Sequence, residues 1–166
     1  AKDRAIASLI RPVGNGSIDT PHTGTMVEYK SFKKIPHAAI TAEDAMMINR
    51  IYKRGNRVVL NLKMEAKFVE DRWSRNVLAE LRGSTHPEEV VVLGGHIDSW
   101  DLGQGAHDDA GGCVAAWRAV TLIKELGFKP RRTLRIVLWT NEENGSRGSK
   151  NYRNEHFSEL ENHIVA

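Results

Sequence analysis

VVVLGGHIDSWDLGQGAHDDAGG, residues 90–112, is the stretch that decides the fold. It opens with an uninterrupted apolar run, residues 90–93, of the length expected for a strand buried on both faces. The run ends in Gly94-Gly95-His96, and a polar, glycine-rich loop follows. From residue 110 to about 126 the spacing predicts a helix, with Val114, Trp117, Val120, Leu122 and Ile123 among its apolar positions. Gly127 and Pro130 stop that helix. Residues 133–140 read as a second buried strand, followed by Asn141-Glu142-Glu143-Asn144-Gly145 and a polar helix. Strand, helix, strand, helix predicts an α/β domain with a parallel or mixed sheet. Ligands of such sheets collect beyond the C-terminal ends of the strands, which directs attention to two loops.

Upstream the pattern is more broken. Residues 5–10 read as a strand or the end of a helix, and Pro12, Gly14, Asn15, Gly16, Pro21 and Gly24 then interrupt any long element. Thr41 reads as a helix N-cap with Asp44 three residues on. Met47, Ile48 and Ile51 supply an apolar stripe, and Gly55 a C-terminal stop. Residues 58–64 and 76–81 read as strands, and 83–87 as a turn. Asn15-Gly16-Ser17 has the form of a glycosylation site, which matters only if the protein is secreted. Asn144-Gly145-Ser146 has the same form, but its place beside a candidate site argues against a glycan.

The first loop carries His96 and Asp98. A neutral imidazole nitrogen binds metal ions. Residues two apart in an extended chain point to one side, so Asp98 is positioned to orient the ring. Taken alone this pair is weak. Asp108 and Asp109 lie twelve and thirteen residues after His96, among glycines that let a backbone fold closely around an ion; alone, they would simply cap the next helix. The second loop carries Glu142 and Glu143. Adjacent carboxylates facing a cleft suit a divided task, one holding a metal and one moving protons, although an ordinary acidic loop would look the same. Three such motifs at one expected sheet edge make coincidence a poor explanation.

Size and composition bound the remaining possibilities. The 166 residues suffice for one ordinary domain with a core, and 40% apolar with 27% charged content fits a soluble globular protein. Apolar runs fall far short of the roughly 20 residues that cross a bilayer, and Lys2, Asp3 and Arg4 break any leader-like pattern at the start. A net charge of +3, from 24 basic and 21 acidic residues interspersed, gives no case for nucleic-acid binding. The single cysteine, Cys113, excludes an intrachain disulfide and reads as a small core residue.

From residue 91 to 148, through GGHIDSWDLGQGAHDDAGG and TLRIVLWTNEENG, the sequence resembles the co-catalytic two-zinc aminopeptidase and carboxypeptidase family. The likeness extends upstream through residues 17–24 and 34–41. It implies a three-layer α/β/α zinc-peptidase domain with a mixed sheet, truncated here and preceded by the end of an inserted protease-associated lid domain. The expected division is 1–41 for the lid and 42–166 for the partial catalytic domain, with the α/β/α layers from about residue 75. By this resemblance His96 binds one zinc, Asp108 bridges two Zn2+ ions, Glu143 binds the other, Glu142 is the general base and Asp98 holds His96 in its binding tautomer. His107 and His22 receive no metal role.

The family's set of five ligands has two members downstream of the residues matched here, an aspartate and a histidine. The chain is therefore expected to be a fragment with little zinc affinity or peptidase activity of its own, and His163 is the conceivable substitute ligand. The resemblance further implies dipeptides or short peptides as substrates, a secreted or lysosomal protein and a homodimer. Two alternatives remain: a receptor-like, non-catalytic relative of the fold, and a relative that cyclises glutamine with one zinc. The joint presence of His96, Asp108, Glu142 and Glu143 speaks against the first, and the HIDSWD run against the second.

Overall fold

The computed structural model of the chain describes residues 4–14, 19–24, 34–67 and 69–166; the Asn15 glycosylation motif lies outside them. The chain divides into two compact units, Ala1–Asp71 and Arg72–Ala166. In the first, β1 (Ser8–Ile10) pairs in parallel with β2 (His37–Ala39). A helix, α1 (Ala42–Lys53), then starts at Thr41, whose hydroxyl accepts the Asp44 amide at 2.9 Å. Thr41 is thus the expected N-cap. Residues 58–64 are not the strand their composition suggests. They run without regular structure, and Val59 is 74% exposed. A strand persists only where a partner takes up its backbone groups, and none does so here among the described residues.

The second unit is built on a four-stranded mixed sheet. Its strands are β3 (Val77–Leu81), β4 (His86–His96), β5 (Arg132–Trp139) and β6 (His163–Val165), in the order β3-β5-β4-β6. β4 is parallel to β5 and to β6, whereas β3 runs antiparallel to β5. The apolar runs read from the sequence form the two central strands, as burial on both faces requires. Between β4 and β5 the chain makes helix α2 (Ala110–Glu125), and after β5 helix α3 (Arg147–Glu155) and a 3-10 turn, Phe157–Asn162.

Alternation along β5 shows the layering. Val137, wholly buried, packs with Val90, Val92 and Tyr152 of α3, with Trp139 against the same cluster. Ile136 and Leu138, pointing the other way, line a groove with Trp117 and Val120 of α2. Helices therefore cover opposite faces of the sheet, the α/β/α layering expected. The buried stripe of α2 is Cys113, Ala116 and Val120, while Val114 and Trp117 are 61% and 60% exposed. Cys113 is thus the small core residue expected, and the small side chains of α2 let it approach Gly95 at the end of β4. No helix among the described residues is long and apolar enough to cross a membrane.

One side chain ties the antiparallel edge to the loop after β5. Asn76 Oδ1 accepts the Thr140 amide at 3.0 Å, and its Nδ2 donates to the Gly148 carbonyl at 2.9 Å. Asn76→Ala leaves both backbone groups without these bonds, and a buried group so stranded costs about 1–3 kcal/mol. The expected outcome is a lower denaturant midpoint with an unchanged slope; an unchanged midpoint contradicts the bridging role.

Candidate metal centre

Register puts the two loops side by side. His96, the last residue of β4, lies opposite Trp139, the last of β5, and Ile97 donates the final rung to the Trp139 carbonyl at 2.8 Å. Glu142 and Glu143 follow three and four residues after Trp139, so both reach the crevice that His96 borders.

His96 is buried, and both ring nitrogens are engaged. Nδ1 lies 2.9 Å from the main-chain carbonyl of Asp98, which can only accept, so Nδ1 carries the proton. Nε2 faces Asp108 Oδ1 at 2.9 Å and Glu142 Oε2 at 3.8 Å. Burial disfavours the charged ring, but the Asp98 carbonyl and the Asp108 and Glu142 carboxylates outweigh it and raise the His96 pKa above its ordinary value. A lone pair on Nε2 and a carboxylate oxygen at that separation repel one another unless a proton or a cation lies between them.

Donor atoms of His96, Asp108 and Glu143 all lie within 4.8 Å of one another. One imidazole nitrogen and two carboxylates are ligand types that zinc accepts, so these residues fit the ion that the sequence reading anticipates. Glu142 stands beside the cluster, 44% exposed in its side chain, with the Ser146 hydroxyl 3.4 Å from Oε1. Asp98 acts on both loops. Its carbonyl fixes the His96 ring, while its carboxylate, 3.6 Å from Nδ1, accepts the main-chain amides of Glu142 at 2.9 Å and Glu143 at 3.1 Å. The sequence suggested an Asp98–His96 partnership; the hold on the glutamate loop spans 44 residues and no local spacing announces it.

The remaining histidines lie elsewhere. His107 is exposed and outside the cluster. His163 does not substitute for a ligand: it pairs with Val90, six residues before His96 and thus about 20 Å away along β4 at roughly 3.3 Å per residue. There its Nε2 meets Tyr152 Oη at 2.8 Å. His86, Glu88 and Glu89 also gather donor atoms, but Arg132 pairs with Glu89 and Arg131 Nη2 is 3.4 Å from His86 Nε2. Two guanidinium groups oppose a metal ion there.

The family model described as Peptidase family M28 matches residues 76–166. Carboxypeptidase Q of Bos taurus is 53% identical over 99% of this chain and 35% of its own length. Carboxypeptidase Q of Homo sapiens is 50% identical with the same coverage. The probable leucine aminopeptidase 2 of Aspergillus fumigatus is 32% identical over 93% of this chain and 29% of its own. Among solved structures, a Peptidase M28 precursor from Shewanella amazonensis superposes with a TM-score of 0.86 at 41% identity, over 98% of this chain and 37% of that one. The chain thus spans about a third of the length of the curated carboxypeptidase Q relatives it matches.

Hydrogen exchange tests the hold of Asp98 on the glutamate loop. Hydrogen bonds to a charged acceptor are worth about 1.5–3 kcal/mol each, so Asp98→Ala is expected to speed exchange of the Glu142 and Glu143 amides at least about tenfold. Parental exchange rates in the variant would show that the loop holds itself.

Proposed function

Because the chain belongs to peptidase family M28, we propose that it carries part of the active site of a zinc-dependent exopeptidase acting on dipeptides or short peptides. The observation that carries this reading is the convergence of His96, Asp108 and Glu143 at the ends of β4 and β5, with the Glu142 carboxylate beside them. His96 would hold one zinc, Glu143 a second, and Asp108 would bridge the two. Zinc bound there supplies Lewis-acid polarisation of a peptide carbonyl and acidifies water.

The chain's own residues do the rest. Glu142 takes the proton from the attacking water and returns it to the departing amine. Its half-exposed carboxylate is free to meet a substrate, and the Ser146 hydroxyl steadies the other oxygen. The Asp98 carbonyl keeps the His96 proton on Nδ1 and so reserves Nε2 for the metal. Three protein donors are few for two ions that each favour four ligands. The 166 residues by themselves are therefore expected to bind zinc weakly and turn over little peptide. In the same reading residues 1–41 close an inserted lid, residues 42–166 belong to the catalytic domain, and the whole protein is a secreted or lysosomal homodimer.

Two measurements decide the reading. In a form extended to the length of the relatives, dipeptide hydrolysis should depend on added zinc and vanish with a chelator. Glu142→Gln should lower kcat about 10²–10⁴-fold while zinc remains bound. An extended form that binds zinc yet cleaves no dipeptide, or a Glu142→Gln variant with parental kcat, overturns it. In the extended form His96→Ala should lose activity and at least one of the two zinc ions, and retention of both would remove His96 from the ligand set.

A further inference from the structure

Asp108 is 73% exposed in its side chain, so packing alone does not fix it against the buried His96 ring. The residue after it is differently placed. Asp109 caps α2: its Oδ1 accepts the Gly112 amide at 3.0 Å. Its Oδ2 accepts the main-chain amide of His96, also at 3.0 Å. One carboxylate therefore joins the start of α2 to the end of β4.

The strand geometry aims the His96 amide at that partner. Backbone amides alternate sides along a strand, and Ile97 donates toward β5, so His96 donates toward the other neighbour. On that side the described residues of β6 reach Val90 and Val91, and the acceptor that meets the His96 amide is a side chain. Asp109 supplies that acceptor. The surroundings are shaped for it: a Cβ on Gly95 would come within 2.5 Å of Asp109 Oδ2, and one on Gly112 would strike the same carboxylate. A second tie lies alongside, from Cys113 Sγ to the His96 carbonyl at 3.1 Å.

We propose that Asp109 is a positioning residue that sets the spacing between His96 and Asp108, and thereby the affinity of the centre for a metal ion. It is covalently joined to Asp108 and hydrogen-bonded to the backbone of His96, so it links the two sides of the cluster directly. This role rests on the ligand reading above for its consequence in metal binding, but not for the clamp itself.

Asp109→Asn separates positioning from helix capping. Asparagine caps helices about as well as aspartate, so the Gly112 bond survives, but the amide group then presents a donor to the His96 N–H. Asp109→Ala loses both bonds. The readouts are exchange of the His96 amide in the metal-free chain, the thermal midpoint, and Co2+ affinity and visible spectrum in the form extended to the length of the relatives. Asp109→Asn is expected to keep the midpoint, speed His96 exchange about tenfold or more, and weaken Co2+ binding about 10–100-fold with an altered spectrum. Asp109→Ala should show these changes and a lower midpoint. Parental His96 protection and parental Co2+ affinity in Asp109→Asn would overturn the proposal and leave Asp109 a cap alone. If the parent takes up no Co2+, the ligand reading fails instead, and the His96 exchange by itself decides the clamp.

Discussion

The parallel pairing of β4 with β5 governs the second unit and its crevice. With His96 opposite Trp139, two chains leave the sheet at the same level and must diverge. Beyond the last rung, from Ile97 to Trp139, the backbone amides of both loops lose their ladder partners. A buried amide without an acceptor costs about 1–3 kcal/mol, so each stranded donor must find one. Two carboxylates answer that demand. Asp98 accepts the amides of Glu142 and Glu143, and Asp109 those of His96 and Gly112. The crevice is held open by acids whose business is with the backbone, which leaves other acids free to face it.

That division explains why acidic residues come in groups here. Of Asp108 and Asp109, the first turns to the His96 ring and the second secures the chain. The helix-cap reading of the pair thus holds for Asp109, while Asp108 stands in the His96 cluster. In the second loop Glu143 joins the His96–Asp108 cluster while Glu142 stands at its rim against Ser146. An aspartate reaches a nearby amide with one rotatable bond fewer than a glutamate, so the short acids clamp well. The longer glutamates can span the gap from one loop to a centre bordered by the other.

The central strands were legible because continuous apolar runs have few other uses in a short stretch: 90–93 lies within β4, and the run read as 133–140 falls in β5 up to Trp139. Residues 58–64 show the converse: strand-like composition does not supply a partner. On α2 the burial of Cys113 was legible, but the exposure of Val114 and Trp117 was not, because the inner face is selected by the clearance over Gly95 of another element. The cluster of His96, Asp108 and Glu143 was legible from the strand-end rule together with the family resemblance. The reach of Asp98 to the glutamate amides was not, since the two loops become neighbours only through the β4–β5 register. The same register removes His163 from the centre and puts it at the opposite end of β4.

Both ends of β4 gather a histidine with acidic side chains, and the difference between them lies in what neutralises the acids. At the N-terminal end Glu89 pairs with Arg132, and midway along β4, opposite Val92, Arg135 takes Glu80 at 2.6 Å and reaches Glu159 at 3.5 Å. Burial works against the charge of Arg135, but the hydroxyl of Tyr152 and the Glu80 carboxylate more than compensate and hold the guanidinium protonated. Beside His86 the Glu89 carboxylate already has a fixed cation, which a metal ion would have to displace or share the field of. At the C-terminal end the ion pairs of Asp108 and Glu142 are with the His96 ring alone. A neutral imidazole gives those charges nothing to balance against, and a protonated one offers a single positive charge to two carboxylates. Asp108 and Glu142 thus share one imidazole ring, whereas Glu89 has a guanidinium of its own. That difference, beside the presence of ligand-type residues, is the electrostatic ground for placing the proposed cation at the His96 end.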